Sequence, residues 1–131
     1  YRRQRQMCIR DSNDTYGHDA GDDVLRGFST RVKRVIRNSD LMCRLGGEEF
    51  VVVMPDTPPE IAAIVAERVR GSVQAEPFRT NASGKDIPVT VSIGLACTLR
   101  DPSPDTLFRR ADKALYRSKN EGRNRVTADA A

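Results

Sequence analysis

An α+β sandwich, with helices packed on one sheet, is the fold class that the sequence predicts, and three observations predict it. Stretches with helical spacing of apolar residues alternate with pairs of strand-like runs, in the order helix, hairpin, helix, hairpin, helix. The strand-like runs are joined by glycine-rich or polar turns of hairpin length. No linker or low-complexity stretch interrupts the chain, and 131 residues with 38% hydrophobic content suffice for one core and fall short of two ordinary domains.

The first helix is read over Asp19 to Asn38, where Val24, Leu25, Phe28, Val32, Val35 and Ile36 recur at helical spacing with Arg and Lys on the opposite side. Leu41 to Leu45 and Phe50 to Met54 then read as strands. Gly46-Gly47-Glu48-Glu49 between them suits a hairpin in which glycine takes up positive φ, and Pro55 closes the second strand. In "TPPE", Thr57 can cap a second helix, Pro58 occupies its first turn without losing a needed donor, and Glu60 completes a capping box. Ile61, Ile64, Val65, Val69 and Val73 are expected on its buried side.

A second hairpin is expected between Phe78 and Ala96: a short strand, the polar turn "NASGKD", and "VTVSIGLA", in which Val89, Val91, Ile93 and Leu95 form one apolar face. The last helix opens near "SPDT", buries Leu107, Phe108, Ala111, Ala114 and Leu115, and stops by Gly122, with a short strand around Arg125 to Thr127 after it. A sheet of this kind calls for a further central strand before the first helix, for which residues 1 to 12 offer only Met7, Cys8 and Ile9.

Composition narrows the function. A net charge of +4 favours anionic partners, but 22 basic residues against 18 acidic ones make a mixed surface rather than a basic stripe. With no Trp, four Phe and three Tyr, stacking platforms for single strands are few, so nucleic acid is not the expected partner. No apolar run approaches the roughly 20 residues that span a bilayer, so no membrane partner is expected for this chain. Cys8, Cys43 and Cys97 are odd in number and far apart, with a single histidine, His18, which suits free thiols in a reducing cytoplasm rather than disulfides or zinc. The cysteines read as small core residues and His18 as a loop anchor.

The stretch "RLGGEEFVV", residues 44 to 52, carries the chemistry. Two acids on a tight turn can hold a hard cation, since magnesium takes oxygen ligands and usually one or two carboxylates plus phosphate. Bare glycine backbone beside them lets a nucleotide approach the main chain.

That turn does not stand alone. "NDTYGHDAGD" at 13 to 22, "RNSDLMCRLGGEEF" at 37 to 50, "TVSIG" at 90 to 94 and "ADKALYRSKNEGRNRV" at 111 to 126 together resemble the diguanylate cyclase family, whose signature is GG[DE]EF. The likeness is nearest to response-regulator cyclases of the PleD type. It covers residues 13 to about 127, leaving 1–12 unmatched and 128–131 as a tail. It implies a fold related to nucleotidyl cyclases and the polymerase palm, with a central, mostly antiparallel sheet flanked by helices. It also implies an enzyme that joins two GTP molecules into cyclic di-GMP, each 3′-hydroxyl attacking the α-phosphate of the other GTP and expelling pyrophosphate. One domain holds one GTP, so a homodimer is implied. So are two magnesium ions per site, with manganese as the alternative, and a cytoplasmic setting.

Carried over by motif, Asn13 and Asp22 bind the guanine edge, Gly46 and Gly47 flank the ribose and α-phosphate, and Glu48 bridges the metals. Glu49 either sits beside the second metal or deprotonates the 3′-hydroxyl. Lys119 and Arg123, four apart near the end of the last helix, hold the β and γ phosphates. Arg10 stands where the family has a phosphate-binding lysine, Ile9 where it has an aromatic residue, and Arg44 adds to the phosphate environment. Arg37 and Asp40 form the R-x-x-D sequence that, with Arg68, implies an inhibitory cyclic di-GMP site. Read without the family, Arg37 and Asp40 equally suit an i,i+3 ion pair at a helix end.

One position departs from the pattern. The family's metal-binding aspartate on the first strand stands eight residues before the asparagine, and counting back from Asn13 gives Arg5, which repels magnesium. Two readings follow: a cyclase, or a degenerate domain that binds cyclic di-GMP or GTP as a sensor.

Overall fold

The computed structural model describes residues 5–11, 17–46, 49–79, 84, 86–97 and 104–129, with 5–11, 17–22 and Pro104 described by their backbone. Strand β1 (Arg5–Asp11) leads into helix α1 (Gly17–Val35), then strands β2 (Leu41–Gly46) and β3 (Glu49–Val53) and helix α2 (Pro59–Ala75). Two short strands, β4 (Phe78–Arg79) and β5 (Asp86–Ile87), precede β6 (Val91–Cys97), helix α3 (Pro104–Asn120) and β7 (Val126–Ala128). The main sheet runs β2-β3-β1-β6-β7 and is antiparallel except for the parallel β6–β7 pairing. The strand that the pattern calls for ahead of α1 is therefore present and central, with Met7 and Ile9 opposite Val52 and Phe50.

Alternation along β3 and β6 divides the sheet into two packed faces. Phe50, Val52, Val91, Ile93 and Leu95 pack with Val24, Phe28 and Val32 of α1 and with Val65, Val69 and Val73 of α2. On the other side, Val51 and Ala96 pack with Leu107, Ala111 and Leu115 of α3. The α+β sandwich holds, and it has helices on both faces.

This corrects the reading of β6 as a strand with one apolar face. It is buried from Val91 to Ala96, and its small residues are small because α3 lies against them. At Gly94 the approach is backbone to backbone: a Cβ there would lie 2.2 Å from the Ala111 carbonyl oxygen and 2.3 Å from the Leu115 nitrogen.

The second hairpin is also rearranged. β4 pairs with β5, register Phe78 to Ile87, in a separate two-stranded sheet, and β6 pairs with neither. Pro88, which has no N–H to offer a ladder, follows β5, and both edges of β6 are taken by β1 and β7. Arg31 ties this region to α2. Its guanidinium lies 3.7 Å from the Phe78 ring centroid and donates to the carbonyl oxygens of Val73 at 3.2 Å and Glu76 at 2.6 Å, at the helix end where carbonyls lack partners.

Helix α2 begins differently from expectation. Pro58 is its N-cap residue and no side chain caps it. Thr57 is fully buried, and its hydroxyl donates to the Pro55 carbonyl oxygen at 2.9 Å while accepting from Arg37, so it braces the β3–α2 turn rather than capping the helix. Ile61 and Ile64 are exposed, because the inward stripe runs through Ala62, Val65, Ala66, Val69 and Val73, where alanines allow close approach. Cys43 is exposed on edge strand β2 and Cys97 is half-buried, both free thiols, so Cys43 is not the core residue expected of it. Cys8 has only its backbone described, as does His18. Among the described residues no helix is long and apolar enough to cross a membrane.

The Gly94 contact is directly testable. Gly94→Ala is expected to lower unfolding free energy by about 3 kcal/mol, because backbone on both sides must move. Gly71→Ala, in α2 with nothing within 4 Å of the added Cβ, should instead stabilise by up to about 1 kcal/mol. Urea denaturation of the two variants checks both signs.

Candidate functional site

Glu49 opens β3 and stands opposite Gly46 of β2 and Arg10 of β1. The register slips between Arg44 and Gly46, and Gly46 adopts φ 146, in the region that L side chains rarely enter. A Cβ on Gly46 would meet nothing within 4 Å, so backbone conformation, not crowding, calls for glycine there. Gly47, Glu48 and Asn13 lie outside the described residues, and Asp22 and Arg10 are described by backbone alone.

Three of the expected site residues converge. Glu49, Lys119 and Arg123 line one open cavity of about 420 Å³ with Asp112, Leu115, Tyr116 and Asn120. One wall is the start of β3 and the other is the C-terminal half of α3 with the turn beyond it. Helical spacing is not what brings Arg123 in. The Arg123 N–H donates to the Ser118 carbonyl oxygen at 3.0 Å across Gly122 at φ 125, so α3 closes in a Schellman-type reversal. Arg123 and Asn124 follow at φ 63 and 46. A left-handed arginine costs about 1 kcal/mol or more, while asparagine tolerates the region, so contacts outside the turn must hold it. Ser118 Oγ donates to the Arg125 carbonyl oxygen at 2.7 Å, Thr127 Oγ1 donates to Ser118 Oγ at 3.1 Å, and Arg70 of α2 donates to Asn124 Oδ1 at 3.0 Å.

The R-x-x-D segment folds on itself. Arg37 Nε and Nη2 donate to the Asp40 carboxylate at 3.1 and 2.8 Å, and the Arg37 backbone N–H donates to it at 2.8 Å. The Asp40 side chain is 0% exposed while that of Arg37 is 41% exposed, so the arginine roofs a buried carboxylate. That bonding to Asp40 raises the Arg37 guanidinium further above its ordinary range. Arg68 is exposed on α2, and no hydrogen bond or ion pair joins it to either residue. The structure brings Arg37 and Asp40 together, as the ion-pair reading has it, with Arg68 bonded to neither.

Residues 9–125 match the family model of the diguanylate cyclase GGDEF domain. The chain belongs to this family. The response regulator PleD of Caulobacter vibrioides (strain NA1000 / CB15N) is 49% identical over 121 residues, which cover 91% of this chain and 26% of that protein. Diguanylate cyclase A of Treponema denticola is 47% identical over 120 residues, 91% of this chain and 32% of that one. The GGDEF domain thus spans about a quarter to a third of these relatives. Among solved structures, the GGDEF domain of DgcB from Caulobacter crescentus in complex with c-di-GMP superposes with a TM-score of 0.90 at 32% identity, covering 99% of this chain and 80% of that one. The active GGEEF domain of a diguanylate cyclase from Vibrio cholerae does so with 0.86 at 30% identity, covering 98% and 84%.

Register places Arg5 away from the turn. Arg5 pairs with Cys97 at the far end of β1, whereas Arg10 stands opposite Glu49. At about 3.3 Å per residue, Arg5 is roughly 16 Å along the strand from the turn, so it does not occupy the place of a second carboxylate beside the GGDEF-domain motif. The β1–β3 register that sets Met7 against Val52 and Ile9 against Phe50 fixes this. Asp11, the last residue of β1, lies next to Arg10 and opposite Val91.

Sequence reasoning missed Asp112, Tyr116, Asn120 and Arg70. The first three share a helical stripe with Lys119 and were findable by spacing; the contact of Arg70 spans 54 positions and has no local signal.

Arg37→Ala is expected to cost about 2 kcal/mol of stability by leaving the buried Asp40 carboxylate short of donors, whereas exposed Arg68→Ala should change stability by less than about 0.5 kcal/mol. Denaturation midpoints of the two variants check the contrast.

Proposed function

We propose that this GGDEF domain condenses two GTP molecules into cyclic di-GMP and pyrophosphate. The observation that carries the reading is that Glu49, Lys119 and Arg123, from a hairpin, a helix and the turn after it, line a single cavity. Lys119 and Arg123 hold the β and γ phosphates, which form the leaving group, and neutralise charge as it separates. Gly46 and Gly47 let the ribose and α-phosphate lie against bare backbone, and Asn13 and Asp22 select guanine. Each 3′-oxygen forms a bond to the α-phosphorus of the other GTP as the α–β P–O bond breaks, and Glu49 receives or helps to displace the 3′-hydroxyl proton.

Because each domain holds one GTP, two domains face each other in a homodimer. The donor chemistry suits magnesium: Glu49 is a carboxylate in the cavity, and such an ion commonly takes one or two carboxylates and substrate phosphates. Glu49 and Glu48 would hold it, and when bound it supplies charge neutralisation at the α-phosphate. Cyclic di-GMP restrains the activity by binding at Arg37 and Arg68. The guanidinium of Arg37 is partly exposed, while Asp40 is committed to orienting it.

The second reading, a domain that binds cyclic di-GMP without making it, is favoured by one observation: the β1 residue opposite Glu49 is Arg10 rather than a carboxylate.

Incubation of the purified protein with GTP and magnesium, with nucleotides separated by chromatography, is expected to yield cyclic di-GMP. Glu49→Gln should lower kcat by about 100-fold or more, and Lys119→Ala should raise KM for GTP about tenfold. A well-folded wild type that forms no product overturns the cyclase reading. Calorimetric binding of cyclic di-GMP that weakens in Arg68→Ala then supports the sensor.

A further inference from the structure

We propose that Arg70 of α2 is a positioning residue for Arg123, acting through Asn124. The inference rests on reading the cavity as a triphosphate site. The Arg70 guanidinium is braced along its own helix: Nε donates to both carboxylate oxygens of Glu67 at 2.9 Å, and Nη1 donates to Gln74 Oε1 at 2.9 Å. Among the described residues, its hydrogen bond away from α2 runs from Nη1 to Asn124 Oδ1, at 3.0 Å. With 21% of its side chain exposed, Arg70 is a partly buried brace rather than a fully solvated surface cation.

What it braces is the least favourable piece of backbone near the cavity. Arg123 and Asn124 are consecutive L residues in the left-handed region, at φ 63 and 46. Asparagine tolerates that region and arginine does not, so the conformation persists only where surrounding contacts hold it. The turn is pinned on either side, by the Arg123 N–H on Ser118 and by Ser118 Oγ and the Ile93 N–H on the Arg125 carbonyl oxygen. Between these pins, the Asn124 side chain is held by Arg70. Arg123 lines the cavity with Lys119 and Glu49, so the link runs from α2 through Asn124 to a phosphate-holding cation.

The consequence is selective. Loss of Arg70 should loosen the grip on the β and γ phosphates and leave the guanosine end untouched. In titration calorimetry Arg70→Ala is expected to weaken GTP binding about tenfold while GMP affinity changes less than about twofold. Asn124→Ala should do the same, and the double variant should lose no more than either single one. Asn124→Gly, which enters the left-handed region freely, should restore much of the GTP affinity in the Arg70→Ala background. Without ligand, hydrogen exchange across residues 121–125 should be faster in Arg70→Ala. Equal GTP affinity in wild type and Arg70→Ala, or equal losses for GTP and GMP, overturns the proposal. If the wild type binds no GTP, the nucleotide reading fails instead, and exchange decides alone: unchanged rates across 121–125 overturn the role of Arg70, and faster rates support it.

Discussion

The backbone contact of α3 with β6 at Gly94 is the constraint on which the rest depends. With no side chain at Gly94, the helix settles until its own carbonyl and amide atoms touch the strand, closer than any Cβ permits. That distance sets the height of α3 over the sheet. It also sets where Lys119 and the turn after Asn120 stand relative to Glu49 across β1 and β3. Val51 and Ala96 then seal against Leu107, Ala111 and Leu115. A close-packed interior transmits such a displacement instead of absorbing it, so one missing methyl governs the width of a cavity several residues away.

Conformational cost is concentrated at the edge of that cavity. Gly46 and Gly122 take positive φ where glycine does so readily, but Arg123 and Asn124 also take it and are not glycine. The turn is kept there by bonds from three separate elements: Ser118 of α3, Ile93 of β6 and Arg70 of α2. Backbone in sparsely populated regions is retained where the surroundings over-determine it, and a cation facing a cavity is a functional reason for retaining it.

Charge is deployed in two ways. Arg31 and Arg37 bond within the chain, one to the carbonyls at the end of α2 and the other, while partly exposed, to a buried carboxylate. Lys119 and Arg123 line the cavity. The net charge of +4 distinguishes neither use, since arginines that cap helices and roof aspartates count equally with those that meet anions. The link from Arg37 to Thr57 also places the R-x-x-D segment against the residues that launch α2, the helix that carries Arg68 and Arg70.

By itself the sequence determined the fold class, the three helices, the β2–β3 hairpin, the family and the motif residues, because periodicity, turn glycines and short motifs are local and one chain displays them in full. Thr57 was read as a cap and Ile61 and Ile64 as core for the same reason: local rules describe what a residue suits, and burial depends on what arrives opposite. Only the tertiary structure decided that β1 pairs with Arg10 at the turn and Arg5 at the far end, that β4 pairs with β5, and that β6 is covered twice. The same holds for the arrival of Arg70 at Asn124. These are choices of register and approach between segments distant in the chain, and they are settled by packing energy summed over whole faces, which no short stretch of sequence contains.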